Sequence, residues 1–147
     1  MSNVFDLKAL NQVKASEAGY EYEFISESSP EGTGVFVTVL GEQSDKVKAW
    51  VRKKVDAKRY INLQREKSRK DNISNYEDDE AENIEAAAIR IVSWKGIYKD
   101  AAAPVLEEVE CNLENAKLIC GMNNEFLLQV IKNSNDIANF TKAKPNA

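Results

Sequence analysis

The amino-acid sequence predicts an α+β fold, mainly α, in which an N-terminal antiparallel β-hairpin packs against three or four helices. Residues 20–25 alternate aromatic and acidic side chains, as a half-buried strand does. Residues 34–40 are rich in β-branched side chains and form the second predicted strand, after a Ser-, Pro- and Gly-containing loop. Because a lone hairpin is only marginally stable in water, its aromatic face is expected to lie on the helices.

Length and composition predict one ordinary globular domain, residues 1–147, with 43% hydrophobic and 30% charged residues. No apolar run approaches the roughly 18 residues of a membrane span, so no membrane partner is expected. The formal net charge of −4 argues against general attraction to nucleic acid. The N-terminal residues lack the basic and apolar regions of a secretory signal, and Cys111 and Cys120 are expected to be reduced.

The chain contains no histidine, which bears on its possible chemistry. The absence removes Ser-His-Asp and Cys-His catalysis and the commonest metal ligand. Two cysteines nine residues apart match no zinc-binding spacing, and neither of the glycine patterns that bind nucleotides occurs. The sequence therefore predicts a protein that is not an enzyme and that has no cofactor or metal site.

The chain begins with an expected N-terminal arm, residues 1–19, which forms either a short helical face or an extended segment. After the hairpin, Ser44 is a good helix N-cap, and Asp45 sits in the first turn, where the helix dipole favours a negative charge. A long helix is predicted from about residue 45 to about residue 70. Trp50 lies on its apolar stripe.

The rest of this helix is strongly basic, and the segment that follows is strongly acidic. Between Lys46 and Lys70 the chain has eleven basic residues against two acidic ones, a net charge of +9. From Asp71 to Glu85 it has seven acidic residues and no basic one, a net charge of −7, and residues 71–80 are predicted to be a mobile loop. The two segments can be solvated faces, or they can neutralise each other within the molecule or between copies.

Pairing between copies is our hypothesis for these charges. The acidic loop of one copy would face the basic helix of the next, in a head-to-tail contact that builds rings or open helical stacks. Because exposed ion pairs contribute only about 0–1 kcal/mol each, such a contact needs many of them. The expected contact residues are Lys46, Arg52, Lys53, Lys54, Lys58, Arg59, Asp78, Asp79 and Glu80.

An alanine-rich segment, residues 85–97, is predicted to form the central helix of the fold. At 100° per residue, Ala88, Ile91 and Trp94 fall on one apolar side, and Gly96 suits a left-handed cap at the helix end. A Trp at the end of such a stripe usually anchors a core. The predicted core anchors of the whole chain are Trp50, Ile91, Trp94, Phe126 and Phe140.

Shorter elements complete the chain after a connection that follows Gly96. Asn112 is a candidate N-cap for a short helix that Gly121 closes, and Asn123 or Asn124 caps the next helix. Residues 136–140 end the ordered part. Residues 141–147 are expected to be a flexible tail.

Four segments together resemble the tail assembly chaperones of siphophages, bacteriophages with long non-contractile tails. The similarity covers roughly residues 34–140, although the connection at Ala101–Ala103 lacks the polar Asp-Gly turn of the family. The four segments are the strand and cap at Gly34–Asp45 with the basic helix through Lys58-Arg59, the run Ala88–Ile97 with Trp94-Lys95-Gly96-Ile97, Glu114-Asn115-Ala116 with Leu118, and Ala138-Asn139-Phe140.

The resemblance implies a non-enzymatic factor of tail morphogenesis. Such chaperones coat the long helical tape measure protein in the host cytoplasm and help recruit the tail tube protein. They are generally absent from the finished virion, and many of their genes also yield a longer, frameshifted product. Two alternatives stay open at this point: a structural tail or connector component, and a nucleic-acid-binding regulator that uses the basic helix 46–70. The position of Trp50 on the apolar stripe argues against the regulator.

Overall fold

The computed structural model describes residues 3–4, 7–8, 10–68, 76–141 and 144–145, with the side chains of residues 7–8, 10–64 and 79–141. These residues confirm the mainly helical α+β class, with five helices and a small antiparallel sheet. In chain order the elements are β1 (Asn3–Val4), α1 (Gln12–Ala18), β2 (Tyr20–Glu23), β3 (Phe36–Val39), α2 (Asp45–Ser68), α3 (Tyr76–Ala88), β4 (Ile91–Lys95), α4 (Leu113–Met122), α5 (Asn124–Asn135), a 3-10 turn (Ile137–Asn139) and β5 (Lys144–Pro145).

The predicted hairpin forms two strands of a three-stranded sheet with the order β2-β3-β4. β2 and β3 are antiparallel, and Tyr20 pairs with Val39. Tyr22 and Phe24 are buried whereas Glu21 is exposed, so the aromatic side of the alternation faces the core. The core lies between this face and helices α3, α4 and α5.

The helix predicted through Ile91 and Trp94 is wrong, because α3 ends at Ala88 and β4 follows, paired with β3. The ladder between β3 and β4 skips Val92, which is the extra residue of a β-bulge. Residues three apart lie on opposite faces of a regular strand. Because Val92 is the unpaired extra residue, Ile91 and Trp94 occupy positions two apart in the ladder, and both face the core.

Gly96, expected above to cap a helix, instead ends β4. Its φ of +86° lies in the left-handed region, and a Cβ atom at this position would collide with the carbonyl oxygen of Gly34. Only glycine meets both conditions at low cost. The end of β4 can therefore lie close against the segment that leads into β3.

The residues named as core anchors divide into two groups. Ile91, Trp94, Phe126 and Phe140 are each less than 10% exposed. Trp50 is only half-buried and lies outside this core, because only the first turns of α2 pack apolar side chains closely against the body. It packs on a separate small cluster of Leu40, Val47 and Ile89.

The acidic segment and the C-terminal tail differ from the expected layout, whereas a helix in the arm was one of its two expected forms. Residues 12–18 of the arm form helix α1, and residues 144–145 of the expected tail pair with β1. Residues 76–80 of the expected loop begin α3, since acidic side chains are favourable at a helix start. Residues 71–75 of the expected loop, most of the arm's first nine residues and most of the tail beyond Thr141 lie outside the described residues.

Asparagine side chains start α4 and α5 at the positions expected from the sequence. Oδ1 of Asn112 accepts a 2.8 Å hydrogen bond from the backbone N–H of Asn115, and Oδ1 of Asn123 accepts one of 3.1 Å from Phe126. Gly121 does not close α4, which continues to Met122. The two helices therefore follow each other with only Asn123 between them.

Candidate protein-interaction surface

Helix α2 carries all six basic residues proposed as contacts, and only its beginning is packed on the body. The hydroxyl of Ser44 accepts a 3.3 Å hydrogen bond from the backbone N–H of Val47, which caps the helix. Val47 is fully buried, whereas Val51 and Val55 are 39% and 41% exposed. The apolar stripe of α2 is therefore open to solvent beyond its first turns.

Polar side chains bridge α2 to α3 where the apolar packing ends. Nε1 of Trp50 donates a 2.6 Å hydrogen bond to Oε1 of Glu85, and Nζ of Lys54 lies 3.2 Å from the same oxygen. One turn further along α2, Nζ of Lys58 lies 2.9 Å from Oε1 of Glu82. Part of the basic helix is thus neutralised by the acidic segment of its own molecule, which is one of the options that the sequence left open.

The carboxyl of Glu85 has a pKa below its usual range, chiefly because the Trp50 indole donates a hydrogen bond to its charged form. Partial burial opposes this shift, and the Lys54 ammonium adds to it. A carboxyl with a lower pKa in the folded chain stabilises the fold above its unfolded pKa of about 4.3. That contribution is lost as the pH falls through the folded pKa, so acid weakens the bridge between α2 and α3.

Replacing Trp50 by phenylalanine is expected to raise the pKa of Glu85 towards the ordinary glutamate value, because the largest cause of the shift is removed. Following the carboxyl carbon resonance of Glu85 by NMR across the acidic range measures the change. An unchanged pKa of Glu85 would assign the shift to Lys54 instead.

Four of the six basic contact residues remain unpaired in the described structure. Lys46, Arg52, Lys53 and Arg59 are exposed and form no ion pair with any side chain that the structure describes. Arg52 and Arg59 are seven residues apart and so lie on one side of the helix, next to Val55. An open apolar stripe with cations beside it suits an amphipathic helix that carries acidic residues.

The acidic residues proposed as contacts lie elsewhere. Asp79 and Glu80 are exposed on α3 and border a cavity shared with α4 and α5. Neither forms an ion pair with a described residue of α2. Asp78 also belongs to α3, but its side chain is outside the described set. Among the side chains that are described, the proposed basic and acidic contact residues are therefore not brought together within one molecule.

Glu82 and Glu85, whose carboxylates face α2, were not among the predicted contact residues. The sequence does contain a pattern that fits these contacts. Lys54 and Lys58 are four residues apart and the two glutamates are three apart, so each pair lies on one side of its helix. The order of the contacts, with the later lysine on the earlier glutamate, also shows that α2 and α3 run antiparallel. The sequence alone does not indicate that the two helices lie side by side.

No catalytic arrangement is apparent among the residues that the structure describes. Burial raises the pKa of the Cys120 thiol to about 12 and raises that of Cys111, so both free thiols are protonated at neutral pH. The hydroxyl of Tyr22 is buried and has no hydrogen-bond partner among the described residues, and burial raises its pKa well above the usual value.

The described residues contain no group of three or more potential metal ligands from His, Cys, Asp and Glu. Within the same part of the chain, no helix combines the length and the apolar character that crossing a membrane requires. Comparison with protein-family models, with curated proteins and with solved structures finds no significant match to this chain.

Proposed function

We propose that the protein is a bacteriophage tail assembly chaperone, which coats the tape measure protein and helps recruit the tail tube protein in the cytoplasm of the infected host. In this role it is not an enzyme, needs no cofactor and is absent from the mature virion. The sequence supports the proposal through four segments that resemble the family in order and spacing. The geometric support comes from helix α2.

The open apolar stripe of α2 is the observation that carries the proposal. The helix has 24 residues and is therefore about 36 Å long at 1.5 Å per residue. Val51, Val55 and Ile61 are 39–45% exposed along it, and Arg52 and Arg59 lie nearby without ion-pair partners among the described side chains. A long helical partner can lay its own apolar face on this stripe while its acidic residues meet the cations. The tape measure protein is a partner of that shape.

Coating a long partner requires many copies, so the proposal includes self-association of the chain. The unpaired cations of α2 and the exposed carboxylates of Asp79 and Glu80 are complementary charges on different parts of one molecule. Such surfaces favour a head-to-tail contact. Its ionic part is expected to weaken as salt rises, because the Debye length is only about 10 Å at 0.1 M.

Co-expression with the tape measure protein of the same phage, followed by a pull-down, tests the proposal. The wild-type chain is expected to retain the tape measure protein. The double variant Val51→Ser, Val55→Ser is expected to retain at least about tenfold less, because it removes the open apolar stripe while leaving the buried core untouched. Val105→Ser is the matched control, since Val105 is an exposed valine, 74% accessible, on the connection between β4 and α4.

The alternative functions give different outcomes. A structural tail or connector component would be found in purified virions by mass spectrometry. A regulator would bind DNA with a steep salt dependence. The bonding of Trp50 to Glu85 and the pairing of Lys54 and Lys58 disfavour the regulator, because they occupy groups it would need. Full retention of the tape measure protein by the double variant would contradict α2 as the binding surface.

A further inference from the structure

A cavity of about 290 Å³ lies among helices α3, α4 and α5. Cys120 at its base is only 2% exposed, and Ile84 and Leu127 form half-buried apolar walls. The side chains of Asp79 and Glu80 lie at the rim, where they are exposed to solvent. Asn83 and Asn124, both exposed, also line it. No Lys or Arg whose side chain is described lines the cavity. The site thus combines apolar walls with amide side chains, and its acidic residues are at the mouth.

This arrangement selects an apolar side chain that is carried on a basic segment. The volume is at the lower end of ligand pockets, roughly 300–1,000 Å³, so it suits one or two side chains better than a cofactor. A lysine that entered tip first would lose the hydration of its ammonium among apolar walls, which is costly. An aliphatic or aromatic anchor avoids this cost. Cations beside the anchor on the same helix can then meet the carboxylates of Asp79 and Glu80.

Helix α2 of the chain itself carries exposed apolar side chains next to basic ones. Tyr60 and Leu63 on α2 are 65% and 57% exposed. They are three residues apart and so are neighbours on the helix surface. Lys53 and Arg59, both exposed, lie on this side of the helix, and Asp56 is the acidic residue among them. The outer side of α2 therefore presents a pair of apolar anchors with more positive than negative charge around it.

We propose that the cavity is the acceptor for Tyr60 and Leu63 of a second copy of this chain. Lys54 and Lys58 hold the opposite side of the same helix against α3, so the two anchors face away from the cavity of their own molecule. The contact is head-to-tail, with the α2 of one copy seated in the cavity of the next. The inference deepens the self-association within the proposed function, and it holds whether or not the tape measure protein binds.

Sedimentation equilibrium of the full chain and of two variants tests the contact. The donor variant, Tyr60→Ser with Leu63→Ser, changes only exposed side chains. The acceptor variant is Gly121→Leu: a Cβ atom there lies 3.5 Å from Cδ1 of Ile84, so the new side chain grows into the cavity from a helix that leucine favours. Each variant is expected to raise the Kd of self-association at least about tenfold, whereas Val105→Ser leaves it unchanged.

Mixing the two impaired variants is the decisive measurement. The donor variant keeps an intact cavity, and the acceptor variant keeps Tyr60 and Leu63, so an equimolar mixture retains one working contact per pair. We expect heterodimers that form with about the wild-type Kd. They should not grow further, because the free α2 of each heterodimer lacks the two anchors and its free cavity is blocked. A symmetric contact between two α2 helices would not be restored by mixing.

Three results would overturn the proposal: a wild-type chain that is monomeric at about 1 mM, wild-type association by either variant, or a mixture that stays monomeric. Circular dichroism checks that the variants are folded. If Gly121→Leu is unfolded, Leu128→Arg takes its place, because Leu128 is 56% exposed at the cavity rim and an arginine there repels the cations of the incoming helix.

Discussion

Replacing Trp94 by alanine is expected to lower the free energy of unfolding by about 3–5 kcal/mol. The indole is 9% exposed, and Trp94 pairs with Val37 in the ladder between β3 and β4. Its Nε1 donates a 2.8 Å hydrogen bond to the carbonyl oxygen of Val109, which ties the connection after β4 to the sheet. Alanine removes the apolar contacts and also leaves this carbonyl without its donor, so the two costs add. Denaturant midpoints of the two proteins measure the difference.

Two further substitutions separate these costs. Trp94→Phe keeps a ring in the core and removes the hydrogen bond to Val109, so it is expected to cost about 1–3 kcal/mol. Ser93→Ala, at an exposed position of the same strand, is expected to stay within about 0.5 kcal/mol of wild type. A loss of less than about 1 kcal/mol in Trp94→Ala, combined with weaker partner binding, would assign the indole to an interaction surface instead.

Replacing Glu42 by alanine is expected to cost about 3–5 kcal/mol, because it leaves a buried guanidinium without its counter-charge. Arg90 is 6% exposed, and its Nη2 and Nε lie 2.7 and 2.9 Å from Oε1 of Glu42, while Nη1 donates to the carbonyl of Ala86. The pair joins the loop before α2 to the turn between α3 and β4. Ser134 of α5 completes this junction with a 2.7 Å hydrogen bond to the carbonyl of Leu40.

Replacing the other partner, Arg90→Met, is expected to lower the free energy of unfolding by less, about 1–3 kcal/mol. The Glu42 side chain is 34% exposed, so its carboxylate can be hydrated. Thermal or chemical unfolding of the single variants and of the double variant gives the coupling between the two residues. Glu107→Ala breaks an exposed ion pair with Lys99 and should change stability by less than about 1 kcal/mol. Equal costs for Glu42→Ala and Arg90→Met would contradict this account of their burial.

The central segment shows what sequence patterns resolve and what they do not. The alanine run and the spacing of Ile91 and Trp94 favour a helix, and α3 does extend to Ala88. Beyond it, pairing with β3 outweighs local propensity for a run rich in β-branched residues. The bulge at Val92 conceals the change, because it directs the same two side chains inward that a helix would. No pattern within the segment indicates that it pairs with β3.

The candidate surface was predictable in charge but not in its contacts. Composition indicates a basic helix followed by an acidic segment. Which carboxylates meet the lysines depends on how α2 and α3 lie side by side, and this arrangement selects Glu82 and Glu85 rather than Asp79 and Glu80. The cavity is harder still to predict, because Ile84 and Leu127 look like ordinary core positions by their spacing. Only the packing of three helices leaves a space between them.

The hydrogen bond and ion pairs that join α2 to α3 determine how easily α2 can separate from the body. Beyond Trp50, the described side chains of α2 are held by a few hydrogen bonds and ion pairs, so lifting this part of the helix exposes little additional apolar surface. Central strand β3, with Val37 and Val39 fully buried, opens only when the whole core does. The backbone amides of α2 are therefore expected to exchange with solvent through inexpensive local openings, and those of β3 through global unfolding. We therefore expect α2 to change its angle to the body without opening the core.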